Sequence, residues 1–334
     1  MKKSLIFGAA LFACAFGFQS CDKVDNPGQP TVDPVEYEAQ TLSFAEFVDK
    51  YTIDGVVNLP AGAEFTIEEN FELAAPITFV GDEKAPAKIV AKAGFNTINS
   101  IAFKNVTIDA SEMTTPLVKM NPIPTEGLNA VGAFEVDQIA FENVTVEGLK
   151  NQLVYCNKQK YLIKDLSIIN SSIYIVGATN KTVIDFNGGG LPLNVTINNS
   201  TIEADDVTKW SNGGLFSTQS GSNLAQVTDN ADAKHVFTVT NSKLTKISNG
   251  KTLCTLRQNN QAWQFYVVKD NVVANCGKKN EFLVGFCAGK INKKENWTAS
   301  GNVVTFGGEN IGEGENTKSG LEGACIVPEA PAAE

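Results

Sequence analysis

The hexapeptide Phe103-Lys104-Asn105-Val106-Thr107-Ile108 constrains this chain more than any other stretch, because it returns as Phe141-Glu142-Asn143-Val144-Thr145-Val146. Looser copies are Ile163-Lys164-Asp165-Leu166-Ser167-Ile168, Ile197-Asn198-Asn199-Ser200-Thr201-Ile202 and Val239-Thr240-Asn241-Ser242-Lys243-Leu244. Two worn copies, Val268-Lys269-Asp270-Asn271-Val272-Val273 and Ala299-Ser300-Gly301-Asn302-Val303-Val304, end the series. Each joins an apolar residue, a polar one, a turn-tolerant Asn, Asp or Gly, and a short strand. Successive copies start 22 to 42 residues apart. Self-similarity on that scale is the mark of stacked structural repeats.

A second apolar strand follows most copies, as in Leu117-Val118, Leu153-Val154-Tyr155 and Leu215-Phe216, and several have a strand upstream, as in Ala133-Phe134-Glu135-Val136. Each coil therefore holds about three short strands. One coil cannot bury its own apolar face. Stacking at about 4.8 Å per coil pairs the backbone groups and closes a continuous core. The expected fold is all-β, a right-handed parallel β-helix. Asn105, Asn143, Asn199 and Asn241 then become a structural ladder, since Asn tolerates the left-handed corner and its amide reaches the same residue one coil away. Upstream, Ser43 and Glu46 have capping-box spacing, and Phe44, Phe47 and Val48 fall on one helical face. A short helix capping the N-terminal end of the core is expected there.

The two ends read differently. Lys2 and Lys3 precede an apolar run from Ser4 to Phe18 that is short for a membrane span, and Gln19-Ser20-Cys21 follows. A small residue before a cysteine, with polar chain beginning at Asp22, is the pattern of a bacterial lipoprotein signal, acylated at Cys21. The expected domains are a signal peptide over 1–20, an acylated cysteine and Pro-rich flexible tether over 21–40, the β-helix over 41–306, and an irregular or capping segment over 307–334. Loss of Lys2 and Lys3 with the leader would take the formal charge from −10 to −12. Nucleic acid, which requires a basic footprint, is excluded as an expected partner. Cys156, Cys254, Cys276, Cys287 and Cys325 are odd in number, and several sit in apolar strands, so buried thiols are expected rather than a complete disulfide framework.

Asn58-Leu59-Pro60-Ala61-Gly62, then Ile77-Thr78-Phe79-Val80-Gly81-Asp82, then Ile101-Ala102-Phe103-Lys104-Asn105 resembles the opening coils of the pectin-lyase-like β-helix superfamily. With the leader, residues 41 to about 306 resemble β-helix surface lipoproteins of Bacteroidota. The resemblance implies an outer-membrane, cell-surface lipoprotein anchored through its lipid, near polysaccharide chemistry; a monomer is expected. It does not fix a reaction, because that solenoid carries lyases, hydrolases, esterases and non-catalytic binders.

The catalytic patterns of such enzymes are sparse in this chain. Its single histidine, His235, has no flanking glycines, and Asp205-Asp206 is its only adjacent Asp pair, in a loop. Gly188-Gly189-Gly190 lacks the strand-to-helix setting of a phosphate cradle. The single arginine opens Arg257-Gln258-Asn259-Asn260-Gln261-Ala262-Trp263, and planar donors beside an indole suit sugar recognition. The expected ligand-binding residues are Arg257, Asn259, Gln261, Trp263 and Trp297. If the chain is a uronate lyase acting by β-elimination, Arg257, Lys278 and Lys279 are its candidate catalytic groups. No cofactor is expected; the ion that the alternating acids Glu135 and Asp137, with Glu142 and Glu147 on following strands, would suit is Ca2+. Corner lengths point to the same edge. The corner after the second strand is short at 157–160 and 178–181 but long at 121–131, 220–234 and 288–296, and such insertions wall grooves. The leading expectation is a polysaccharide-binding or accessory β-helix, with a lyase as alternative and a structural or adhesive surface protein as a third reading.

Overall fold

A computed structural model describes residues 34–39, 41–176, 181–205, 214–218, 223–247, 253–256, 263–276, 296–306 and 309–310. The chain winds as a parallel β-helix. One coil shows the plan: Ile101–Lys104 lies on a first face, Val106–Asp109 on a second and Val118–Met120 on a third. Among the described residues, repetition builds sheets of ten, ten and seven strands. Among the described residues the pairings between coils are parallel, and all keep register except Thr145–Leu149 against Ser172–Ile175, which slips by one residue between Val146 and Leu149; Phe79 pairs with Phe103 and Phe103 with Phe141. Among the described strands the antiparallel pairs are Thr52–Ile53 with Val56–Asn58 and Val303–Phe306 with Glu309–Asn310, and a lone antiparallel bridge joins Leu128 to Phe134.

Alternation along each strand sends one set of side chains inward, and the strict register stacks like on like. Phe79, Phe103 and Phe141 stack with ring centroids 5.4 Å apart at each step. Phe95 of the third face meets Phe79 and Phe103 at 5.5 and 5.0 Å. The column continues as Ile168, Ile197, Val239 and Val268, all essentially inaccessible.

The first coil would leave this core open, and α2 (Phe44–Tyr51) covers it. Ser43 and Glu46 form the expected capping box, and Phe44, Phe47 and Val48 are buried. Phe44 contacts the rings of Phe65, Phe71, Phe79 and Phe95 within 6.2 Å. The folded part starts earlier than the expected tether boundary, at α1 (Pro34–Ala39). Glu38 on that helix binds Lys50 and accepts from the Tyr51 hydroxyl at 2.7 Å, and Ala39 is buried. These contacts to α2 make residues 34–39 part of the cap.

The first-to-second corner is a single residue in the left-handed region, and Asn fills it repeatedly. Asn105, Asn143, Asn170, Asn199 and Asn241 have φ between 47° and 54°. Side-chain amides join Asn143 to Asn105 at 3.1 Å and Asn199 to Asn170 at 2.8 Å. Asn170 corrects the repeat: the third copy is Ile168-Ile169-Asn170-Ser171-Ser172-Ile173, not the stretch beginning at Ile163. Ile168 pairs with Phe141, whereas Asp165 sits mid-strand opposite Gln138. A nine-residue strand, Tyr161–Ile169, offers two apolar phases, and the corner decides between them.

Inside the same corner runs a second, buried ladder. The Ser171, Ser200 and Ser242 hydroxyls accept from the backbone N–H of Val144, Ser171 and Ser200 at 3.0 to 3.2 Å. Asn271 and Asn302 continue it, accepting from the N–H of Ser242 and Asn271. The corner Asn N–H groups reach the next coil's carbonyls, as Asn143 does Ile169, and these side chains satisfy the donor that follows each corner.

Cys156, Cys254 and Cys276 are buried, as expected; Cys287 and Cys325 lie outside the described residues. Burial pushes the Cys156 and Cys276 thiols up to about 12, so neither is a nucleophile at neutral pH.

Candidate functional site

The third-to-first corner carries the insertions. It is tight between Val154–Asn157 and Tyr161–Ile169 and again between Ile184–Asn187 and Leu191–Asn198. Residues 178–180 lie outside the described residues; Ser172–Ile175 is on the second face and Ile184–Asn187 on the third, so the short corner that matches 157–160 is Gly188–Gly190. Glycine is required there by sterics: Gly189 has φ of 103°, and a Cβ on Gly190 would lie 3.0 Å from Cys156 Sγ. Those glycines serve coil stacking, not anion binding.

Two long insertions flank the tight corners, between Val118–Met120 and Phe134–Glu142 and between Phe216–Thr218 and His235–Thr240. They meet. Asn129 Nδ2 donates to the Val227 carbonyl at 2.8 Å across 98 residues of chain. Beneath them is a small second core of Ala133, Leu162, Leu191, Leu224 and Val227, with Leu193, Ala233 and Trp263 packed against it. Leu162 is flanked by Tyr161 and Ile163, which belong to the solenoid core, so this cluster lies on the outside of the first sheet. The short helix α3 (Leu224–Val227) supplies two of its residues, and Asn223 caps that helix.

Trp263 is half-buried at the margin of this cluster. With Asn223, Leu224, Thr228, Asp229 and Asn230 it lines a cleft of about 490 Å³. An adjoining hollow runs along Ala231, Asp232, Ala233 and Lys234 to the same indole. The backbone N–H of His235 donates to the Trp263 carbonyl at 2.9 Å, opening the ladder between His235–Thr240 and Gln264–Lys269. The Lys234 ammonium sits over the Phe265 ring, 5.1 Å from its centroid.

Of the expected site residues, the structure places Trp263 in a cleft walled by one of the long insertions. Arg257, Asn259, Gln261, Lys278 and Lys279 lie outside the described residues, as do Cys21 and Asp206. Trp297 begins the strand Trp297–Ser300, whose backbone pairs with Tyr266, one coil from the Trp263 strand. Glu135, Asp137 and Glu142 share the single strand Phe134–Glu142, so Glu142 is not on a following strand; Glu147 is, on the second face. Each of the three has its own partner: Asn129 at 3.2 Å for Glu135, Lys164 at 2.7 Å for Asp137, Lys104 at 3.0 Å for Glu142. Among the described residues no three His, Cys, Asp or Glu side chains are grouped to hold a metal.

His235 turns into the solenoid. It is fully buried, stacks on Phe216 at 5.7 Å, and its Nδ1 lies 2.7 Å from the Pro192 carbonyl, to which it donates. Burial lowers its pKa to about 4, so it is a neutral core residue at physiological pH. Asp185 was not legible as special in the sequence. It stands on the third face, mostly buried, with Gln152 Nε2 3.5 Å away, and burial raises its carboxyl above the ordinary range.

Residues 63–205 match the family model described as a domain of unknown function (DUF4957). No curated protein and no solved structure matches the chain. The matched residues are similar to that domain over the first coils, and they end before the insertion and the Trp263 strand that form the cleft.

Proposed function

We propose that this chain is a surface-anchored lipoprotein whose β-helix binds polysaccharide through the cleft at Trp263. The observation that carries the reading is the half-buried indole set against amide, hydroxyl and carboxylate groups of the 223–234 insertion. An aromatic face covers the apolar side of a pyranose ring while polar groups at its rim take the hydroxyls. The pattern at Cys21 supports the anchor and an outer-membrane, cell-surface location. The likeness of the opening coils to pectin-lyase-like proteins supports a role beside polysaccharide, and the chain acts here as a monomeric accessory binder rather than as an enzyme.

The test uses the full chain, purified in mild detergent and shown folded by circular dichroism. It is offered a panel of polysaccharides, with and without Ca2+, and scored for retention and for the ultraviolet absorbance of unsaturated sugar products. Retention that drops about tenfold in Trp263→Ala, with no absorbance gain, is expected. Absorbance that vanishes in Arg257→Ala would replace the binder with a lyase. No retention on any polysaccharide would end the carbohydrate reading.

A further inference from the structure

Next to the cleft, the outer side of the first sheet changes character. On His235–Thr240 and Gln264–Lys269 burial alternates strictly, with His235, Phe237, Val239 and Gln264, Tyr266, Val268 inside. The residues between them face out. Register aligns these in columns: Asn194, Val236 and Phe265; Thr196, Thr238 and Val267; Asn198, Thr240 and Lys269. All are half-buried except the exposed Asn194. Trp263 precedes Phe265 by two residues, so both rings stand on this outer side about 6.6 Å apart along the strand.

Among the described residues the charges on and beside this surface are few, and their signs matter. Lys234 is the one described cation at the cleft, its charge held over the Phe265 ring, and Lys269 stands at the far end of the strand, roughly 20 Å from Trp263. The cleft lip carries two exposed carboxylates, Asp229 and Asp232. A uronate chain would bring one negative charge per sugar against those carboxylates. A neutral chain meets hydroxyls, amides, methyl groups and two aromatic rings, all of which it can use.

We infer that the ligand of this face is an uncharged polysaccharide, lying flat across the Val236, Thr238, Phe265 and Val267 surface with one end in the Trp263 cleft. This rests on the carbohydrate reading above and narrows it to neutral chains, away from uronates.

Calorimetric titration of the full chain with neutral glucans, mannans and xylans, and separately with polygalacturonate and alginate, reads the difference. Each is done at low salt and at about 0.5 M NaCl, where exposed charges are screened. The expected result is binding of at least one neutral chain, with affinity changing less than about twofold between the two salts. Phe265→Ala, verified folded by circular dichroism, should weaken it about tenfold, as should Trp263→Ala. Binding confined to uronates and falling with salt would overturn the neutral-ligand inference and leave carbohydrate binding standing. Undiminished neutral binding in both variants would overturn the placement on this face. Silence toward every glycan would instead bring down the reading on which the inference rests.

Discussion

The coils before residue 170 and those after residue 190 share a backbone plan and differ on both sides of it. Inside, the early coils stack Phe79, Phe103 and Phe141, whereas the later ones bury His235, Gln264 and Tyr266 at equivalent depth. Outside, the strand pair Phe134–Glu142 and Tyr161–Ile169 carries Glu135, Asp137, Lys164 and Asp165, joined by the Lys164–Asp137 pair. The pair His235–Thr240 and Gln264–Lys269 presents Val236, Thr238, Thr240, Phe265 and Val267 instead. Parallel register constrains inward positions by packing against their copies above and below. Outward positions have no such constraint. A solenoid can therefore be solvated along one stretch of a face and adhesive along another without altering its fold.

The largest effect tests the inner half of the comparison. Phe141→Ala should destabilise the chain by about 3–5 kcal/mol, since the ring is stacked from below and the cavity cannot collapse between fixed coils. His235 should behave differently, through pH. Its folded pKa of about 4 is below the ordinary 6.5, so between those values the unfolded chain binds the proton more readily. The associated stability is complete above pH 6.5 and is lost as pH falls toward 4, with a total on the order of 3 kcal/mol. Urea unfolding at pH 7 and pH 4.5 should show that loss, and His235→Phe, which keeps the stack on Phe216, should flatten it. A wild-type midpoint as insensitive to pH as the variant's would mean that the imidazole is solvated.

Ser200→Ala probes the corner that both halves share. The variant leaves the Ser171 N–H without its acceptor in a buried position, and a loss of about 1–3 kcal/mol is expected by denaturant titration. A neutral outcome would mean that the coils shift to repair the bond.

The architecture was legible because three signals agreed. The left-handed corner demands Asn or Gly, inward positions demand apolar residues, and Ser43 with Glu46 marks a helix start. Asn105 and Asn143 could be read directly. Asn170 was missed because Ile163 and Leu166 satisfy the apolar pattern one strand-segment too early. The Ser171–Ser200–Ser242 ladder was hidden because serine beside asparagine also reads as an ordinary exposed turn. Insertion lengths located the walled edge, and Trp263 could be picked out as an indole beside polar planar groups. The outer columns could not. Val236 and Phe265 are 29 residues apart, and only the register of His235–Thr240 against Gln264–Lys269 makes them neighbours.

The smallest expected effect sharpens the outer half of the comparison. Lys164 and Asp137 are both more than a third exposed, and water screens their attraction. The hydrogen bond to Asp137 raises the Lys164 pKa, but at such exposure that converts to little stability. Lys164→Ala should change unfolding free energy by less than about 0.5 kcal/mol and leave glycan affinity untouched, because Lys164 precedes the platform by two coils. If it instead weakened binding as far as Trp263→Ala does, the charged stretch would belong to the site. The two outer surfaces would then be one continuous binding face, and the uncharged residues Val236, Thr238, Phe265 and Val267 would no longer decide the proposed ligand.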